Sequence, residues 1–361
     1  MLTHTVVNQA PPRVGINEFA TNIPLVEAVR HYDAEWALQG LEEIGALVGT
    51  ANFQTDAETA NINVPTLATH DRYGHRIDEV HYDTSYHRII AQAVAHGVHT
   101  SAWADPKPGA NVARAAGFML FAQIEPGHAC PISMTHSAVP TLRVQPDLAQ
   151  AWLPRLYSRE YDSELGAHKP GALIGMAMTE KQGGSDVRAN TTRAVQQADG
   201  SYEVVGHKWF FSAPMCDAWL VLAYGAGSGA SGAGGDVGLS CFLMPKLRPD
   251  GSRNAIHIQR LKDKLGDWSN ASSEVEFHGA WAQLVGKEGR GVATILEMVA
   301  LTRQDCMIGS SALMRQALAQ ALHHARHRRA FGKPLAEQPL MQNVLADLAL
   351  ESEAALAFTL R

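Results

Sequence analysis

The apolar positions of this chain change their repeat twice, and that double change restricts the possible folds more than any single motif. From Pro24 to Val48, the residues Leu25, Ala28, Val29, Tyr32, Trp36, Leu41 and Ile44 recur at helical spacing, with Asn22 as a candidate cap and Gly49 as a stop. Further helical patterns cover 84–98, 109–124 and 146–157, while residues 1 to about 20, with Pro11-Pro12, read as an extended arm. Between about 171 and 285 the pattern becomes β-branched and aromatic alternation, as in Tyr202-Glu-Val-Val205, Ala218-Trp-Leu-Val-Leu222, Leu239-Ser-Cys-Phe-Leu243 and Glu274-Val-Glu-Phe277. After Gly286-Lys-Glu-Gly-Arg-Gly291 the helical period returns through Leu296, Met298, Ile308, Leu313, Leu318 and Leu322 to about Arg329. It resumes from Gln338 through Leu345, Leu348, Leu356 and Leu360. The order predicts an α+β fold: an arm and helical domain over 1–170, a domain of antiparallel strands over 171–285, and the start of a helical domain over 286–361. No Gly, Pro or capping signal precedes Arg361, so the stop reads as a truncation inside a helix.

A length of 361 residues with 46% hydrophobic and 18% charged content describes a globular chain with a substantial core. No apolar run approaches the roughly 18–20 residues of a membrane span. The start Met1-Leu-Thr-His-Thr-Val lacks the basic-then-apolar order of a secretory signal, which points to the cytoplasm. Cys130, Cys216, Cys241 and Cys306 form no CxxC pair, so reduced and mostly buried thiols are expected. A formal charge of −6 argues against a basic nucleic-acid footprint on this portion.

Two phrases in the strand-rich block carry chemistry. In Met176-Ala-Met-Thr-Glu-Lys-Gln-Gly-Gly-Ser-Asp186, a short extended approach from Gly171 meets paired glycines that permit close backbone approach, with Thr179 and Ser185 at the mouth. It reads either as a cofactor clasp or as an ordinary polar loop. In Val204-Val-Gly-His-Lys-Trp-Phe-Phe-Ser212, an aromatic run suits a strand whose rings either pack on a planar cofactor or fill the core. The glycine-rich Gly225–Gly235 contains a formal GxGxxG at Gly227, Gly229 and Gly232. Because Asp236-Val-Gly-Leu-Ser-Cys-Phe242 reads as a strand and not a helix, a hairpin loop is expected there. His323 and His327 lie one helical turn apart, yet no third ligand accompanies them, so a polar helix face is expected and not a metal site.

Together the two phrases resemble the flavin-contacting strands of the acyl-CoA dehydrogenase superfamily. Met178-Thr-Glu-Lys-Gln-Gly-Gly-Ser-Asp-Val187 with Asn190-Thr-Thr-Arg193, Gly206-His-Lys-Trp-Phe-Phe-Ser212, Arg260-Leu-Lys-Asp-Lys-Leu-Gly266 with Ser269-Asn-Ala-Ser272, and Gln338-Pro-Leu-Met341 are similar to its AidB-like branch, flavoproteins of the adaptive response to DNA alkylation. Ala113-Arg-Ala-Ala-Gly-Phe-Met-Leu120 and Cys130-Pro-Ile-Ser-Met-Thr135 extend the likeness, which covers nearly the whole chain.

The resemblance implies a helical domain, a β-barrel-like domain and a helical bundle, with FAD as cofactor. It places the flavin ring against Met176, Met178, Thr179, Gly184 and Ser185, with Phe210, Phe211 and Ser212 on the second strand. Arg328 and Phe331, in Arg328-Arg-Ala-Phe-Gly-Lys-Pro334, resemble the motif that reaches the FAD pyrophosphate of a neighbouring subunit, which implies a homo-oligomer, a tetramer by resemblance. Their alternative is a solvated basic helix end. Acyl-CoA is the implied substrate class, and duplex DNA an implied partner through a C-terminal region that this chain lacks. No catalytic residue is assigned. The base position of one branch is held by Thr302, which cannot serve, and the glutamate of the other branches falls in a later segment beyond the chain end. Glu180 belongs to the turn and is expected to be a structural hydrogen-bonding carboxylate. The implied activity is CH–CH oxidation of an acyl thioester, with a true acyl-CoA dehydrogenase and a non-catalytic DNA-binding scaffold that retains FAD as the alternatives.

Overall fold

The computed structural model describes residues 3–225 and 238–361, so Gly227, Gly229 and Gly232 lie outside the described residues. In chain order the helices and strands begin with α1 (Ile23–His31), α2 (Leu38–Val48), α3 (Ala51–Ile62), β1 (Thr66–His70), β2 (Arg76–His81), α4 (Thr84–Ala95), α5 (Ser101–Ala104), α6 (Ala110–Ala122), α7 (Ala129–Arg143) and α8 (Pro146–Leu156). There follow β3 (Ile174–Ala177), β4 (Arg193–Gln196), β5 (Tyr202–Ser212), β6 (Ala218–Gly225), β7 (Ser240–Pro245), β8 (Ile256–Leu261) and β9 (Ser272–Val285). The chain then continues with α9 (Gly291–His327), β10 (Arg329–Ala330), β11 (Lys333–Pro334) and α10 (Pro339–Leu360). Residues Met1–Thr55, Pro106–Pro126 and Gln304–Arg361 form one compact unit, and Asp56–Asp105 with Gly127–Arg303 a second.

In the first unit, Pro24 sits in the opening turn of α1 and Pro339 in that of α10, where a missing N–H costs nothing. Asn22 occupies the cap position of α1, although its side chain makes no capping bond. Gly109 enters α6 at φ +74°, and a Cβ there would lie 2.4 Å from the Asp33 carbonyl oxygen, so only glycine permits this close approach. Inside the unit, Arg114 makes a two-pronged ion pair with Asp305, both side chains 3% exposed, and the guanidinium lies 4.7 Å from the Phe118 ring centre.

In the second unit the strands close on themselves. β4 pairs with β5, β5 with β9, β9 with β7 and β7 with β6, all antiparallel, and β6 returns to β4 in parallel. β3 also runs parallel to β6, with Ile174 opposite Ala218 and Ala177 opposite Val221. The expected antiparallel barrel is therefore present with two parallel seams, because β3 and β4 share one edge of β6. β6 is buried along almost its whole length, which explains why its sequence reads as a continuous apolar run. β8 extends the wall from β9. The short hairpin of β1 and β2 lies within the arm and helical domain read over 1–170, between the helical patterns assigned there.

α7 packs near β3, and the Thr135 hydroxyl accepts from the Ile174 N–H at 3.0 Å. α4 starts where Asp83 accepts from the Ser85 N–H at 2.8 Å. Among the described residues no helix is long and apolar enough to cross a membrane.

Candidate functional site

The clasp is built where β3 ends. Gly175 is needed beneath it, since a Cβ there would lie 2.3 Å from Cδ1 of the buried Trp219 indole. Beyond β3, Met176, Met178 and Thr179 are half-buried, and the turn through Gly184 and Ser185 is exposed. Gly183 takes φ +137°, and a Cβ on Gly184 would meet Thr179 Oγ1 at 2.4 Å, so the turn folds onto the threonine only because Gly184 has no side chain.

Glu180 holds this turn in place. The carboxylate is fully buried and faces the fully buried Lys208 ammonium at 2.9 Å. It also accepts from the Thr191 N–H at 2.6 Å, the Thr192 hydroxyl at 2.6 Å and Gln182 Nε2 at 2.8 Å. Burial alone would raise this carboxyl, but the Lys208 charge and the hydrogen bonds outweigh it and bring the pKa down to about 2. Burial in turn draws Lys208 below the ordinary lysine range, against the pull of Glu180. Lys208 Nζ also donates to the Leu222 carbonyl at 2.8 Å. Every lone pair of Glu180 is committed to structure, so it is no candidate base.

The second phrase meets the first directly, because the Trp209 N–H donates to the Thr179 carbonyl at 2.8 Å. Along β5 the pairing with β9 slips between Lys208 and Phe211. That bulge lets two consecutive rings face one cation: Lys262 Nζ lies 3.2 Å from the Trp209 ring centre and 4.7 Å from that of Phe210. Glu274 anchors this cation, accepting from Lys262 at 2.7 Å and from Arg260 at 2.8 Å. Phe210 is 48% exposed. Phe211 corrects the expectation for its side chain. Its ring is 1% exposed and packs 4.3 Å from Trp219 and 6.1 Å from Phe277, so it is core and only Phe210 of the pair faces outward. Ser212 is half-buried, and burial pushes the Cys130 thiol up to about 11.

Arg328 and Phe331 belong to the other unit. Arg328 Nη1 donates to the Asn8 carbonyl at 2.6 Å. Phe331 stands at the tip of the β10–β11 hairpin, 98% exposed and at φ +52°, a left-handed conformation that a phenylalanine adopts at a cost. His323 is bonded to the Pro11 carbonyl, and His327 Nδ1 to the His323 carbonyl. Among the described residues no group of three or more His, Cys, Asp or Glu is arranged to hold a metal ion. Sequence reasoning missed Lys208 as the partner of Glu180. The signal was present: in Tyr202, Val204, Gly206 and Lys208 the alternation points inward, which puts the lysine in the barrel wall.

Three family comparisons tile the chain: the adaptive response protein AidB N-terminal domain over residues 8–163, the acyl-CoA dehydrogenase middle domain over 175–280, and the acyl-CoA dehydrogenase C-terminal domain over 289–361. The chain belongs to the acyl-CoA dehydrogenase family. Within it, the chain is 48% identical over 99% of its length to AidB of Escherichia coli (strain K12), an acyl-CoA dehydrogenase by name, and spans 65% of that protein. Among solved structures, Bd2924 in its apo form superposes with a TM-score of 0.88 at 29% identity, over 98% of this chain and 70% of that one. ACDH-11 of Caenorhabditis elegans, solved in complex with C11-CoA, gives 0.87 at 27% identity, over 99% of this chain and 63% of that one. Both clasp phrases fall within the acyl-CoA dehydrogenase middle domain.

Proposed function

We propose that this chain forms the flavin-holding part of a cytoplasmic FAD enzyme of the AidB type, which oxidises a CH–CH bond of an acyl-CoA and serves the adaptive response to DNA alkylation. The observation that carries the reading is the Trp209–Thr179 backbone bond, which joins the two flavin-motif strands, together with the bulge that turns Phe210 outward beside them. The residues fit the group. Half-buried Met176 and Met178 with Phe210 supply apolar surface that excludes water, Thr179, Ser185 and Ser212 supply hydroxyls, and Gly184 leaves room for close approach. FAD, when bound, supplies the hydride acceptor. The β domain over 171–285 is the part assigned to it, between the helical segments 1–170 and 286–361.

Arg328 and the exposed Phe331 are assigned to the FAD pyrophosphate of a second copy, which makes the working form a homo-oligomer, a tetramer by family likeness. The acyl-CoA assignment draws on the C. elegans relative solved with C11-CoA. No residue of this chain is assigned as the base, since Glu180 is committed and the Thr302 hydroxyl donates to the Val299 carbonyl at 3.0 Å. Nor is any assigned to DNA, given the net charge of −6. Purified protein is expected to show a flavin absorbance band, and to regain it on adding FAD after stripping. A colourless protein that cannot be reconstituted refutes the assignment. Bleaching of the flavin by acyl-CoA without oxygen is the matching test of activity.

A further inference from the structure

A cavity of about 250 Å³ opens in the second unit on the side to which Phe211 turns. Its floor is apolar, formed by Phe211, Trp219, Ile256 and Ile258, each 8% exposed or less. The rest of the lining includes three cations, Arg76, Lys246 and Arg253, and one carboxylate, Asp78.

Two of these cations are already balanced. Arg76 Nε donates to Asp78 at 2.7 Å, and Arg253 pairs with Glu79. Lys246 Nζ donates to the Pro214 carbonyl at 3.0 Å, and among the described residues no carboxylate lies within ion-pairing distance of it. Its neighbour Asp217 is taken by Lys169 at 2.9 Å. Burial, then the charge on Arg76, holds the cavity-lining His257 below its ordinary range. Among the described residues, Lys246 is therefore the lining cation with no carboxylate in contact, and it stands beside an apolar floor. Burial, then the charge on Arg253, draws the Lys246 ammonium below the usual lysine range against the pull of Asp217 and Glu79, and a bound anion would add to that pull.

We propose that this cavity binds a small organic monocarboxylate, with its carboxylate on Lys246 Nζ and its hydrocarbon body against Phe211, Trp219, Ile256 and Ile258. A phosphate dianion would bring a second charge to guanidiniums that are already satisfied, and would leave the apolar floor uncovered. A whole acyl-CoA exceeds a space smaller than the roughly 300–1,000 Å³ of drug-sized pockets.

Octanoate titrated into the full chain, read by calorimetry and by tryptophan fluorescence, tests the assignment. One octanoate per chain is expected, with octanamide weaker by at least about tenfold because it offers the ammonium no charge. Lys246→Met should weaken octanoate by at least about tenfold, whereas Lys246→Arg stays within about threefold. Equal affinity for octanamide, or undiminished octanoate binding by folded Lys246→Met, overturns the proposal. So does displacement of octanoate by inorganic phosphate. Should Lys246→Met fail to fold, Ala255→Leu fills the cavity and leaves the ammonium in place, and octanoate binding that survives it also overturns the proposal. Thr179→Ala, at the clasp, is expected to leave octanoate binding unchanged, and loss of binding there would move the ligand to the clasp and sink the assignment.

Discussion

Replacing Lys208 by methionine removes one half of an ion pair whose two side chains are both wholly shielded from water, and leaves Glu180 as a buried charge without its counter-ion. Breaking such a pair from one side costs about 3–5 kcal/mol. The Glu180 carboxylate keeps its bonds from Thr191, Thr192 and Gln182, so the lower end of that range, about 3 kcal/mol, is expected. At roughly 2–4 °C per kcal/mol for a unit of this size, the melting transition that includes the barrel should fall by about 6 °C or more.

Glu180→Gln should also destabilise, because Lys208 would retain only carbonyl partners, at 2.8 Å and 3.5 Å. The double variant should lose less than the sum of the two by at least about 1 kcal/mol, the signature of direct coupling. The pH dependence has a definite sign. Since the folded-state pKa of Glu180 is depressed to about 2 from 4.5, its contribution is fully present above about pH 4.5 and is lost as pH falls towards 2. Lys208→Met should flatten the wild-type stability profile across that window. Urea unfolding at several pH values, followed by tryptophan fluorescence, measures all of this. A Lys208→Met protein within about 0.5 kcal/mol of wild type, or additive single variants, would refute the claim that this pair holds the turn.

The two adjacent phenylalanines should part company: Phe211→Ala is expected to cost about 3–5 kcal/mol in chemical denaturation, while Phe210→Ala leaves stability nearly unchanged and weakens FAD in equilibrium dialysis. Equal stability losses would contradict the bulge geometry. Gly184→Ala should lower FAD affinity by about tenfold through its clash with Thr179, and Thr179→Ala in the same chain should recover part of it, because the clashing Oγ1 is then gone. Failure of that rescue would place the clash elsewhere. Phe331→Gly relieves the left-handed conformation and should hold or raise the melting point while reducing FAD occupancy and the oligomeric fraction in light scattering, if one copy completes the site of another.

Legibility followed local signals. α4 and α8 are legible because an apolar stripe coincides with an opening signal, the Asp83 cap in α4 and Pro146 in the first turn of α8. α7 gave no stripe: it is buried almost all round and carries Pro140 within it, so periodicity had nothing to report. The β1–β2 hairpin is half-buried and largely polar, without the β-branched run that marks a strand. At the site, the clasp and the aromatic strand were visible as phrases, but strict alternation cannot foresee a bulge, and so Phe210 and Phe211 were read together. The Glu180–Lys208 pair joins residues 28 apart in sequence, and such a match exists only once the strands have closed.

The way the barrel closes also dictates an order of events at the ribosome. β9 pairs with β5, β7 and β8 alike, and it is the last strand of the wall to be synthesised. At about 5–20 residues per second, roughly 3–12 s separate the end of β5 from the start of β9. Through that interval β5, joined later by β7 and then β8, waits with an unmatched edge, and such edges recruit other chains. Messages interrupted before Ser272 should therefore yield products that aggregate or need a holding chaperone, whereas those that pass Val285 release a closed wall. The sheet is thus vulnerable in time, during its own manufacture, more than in its finished state.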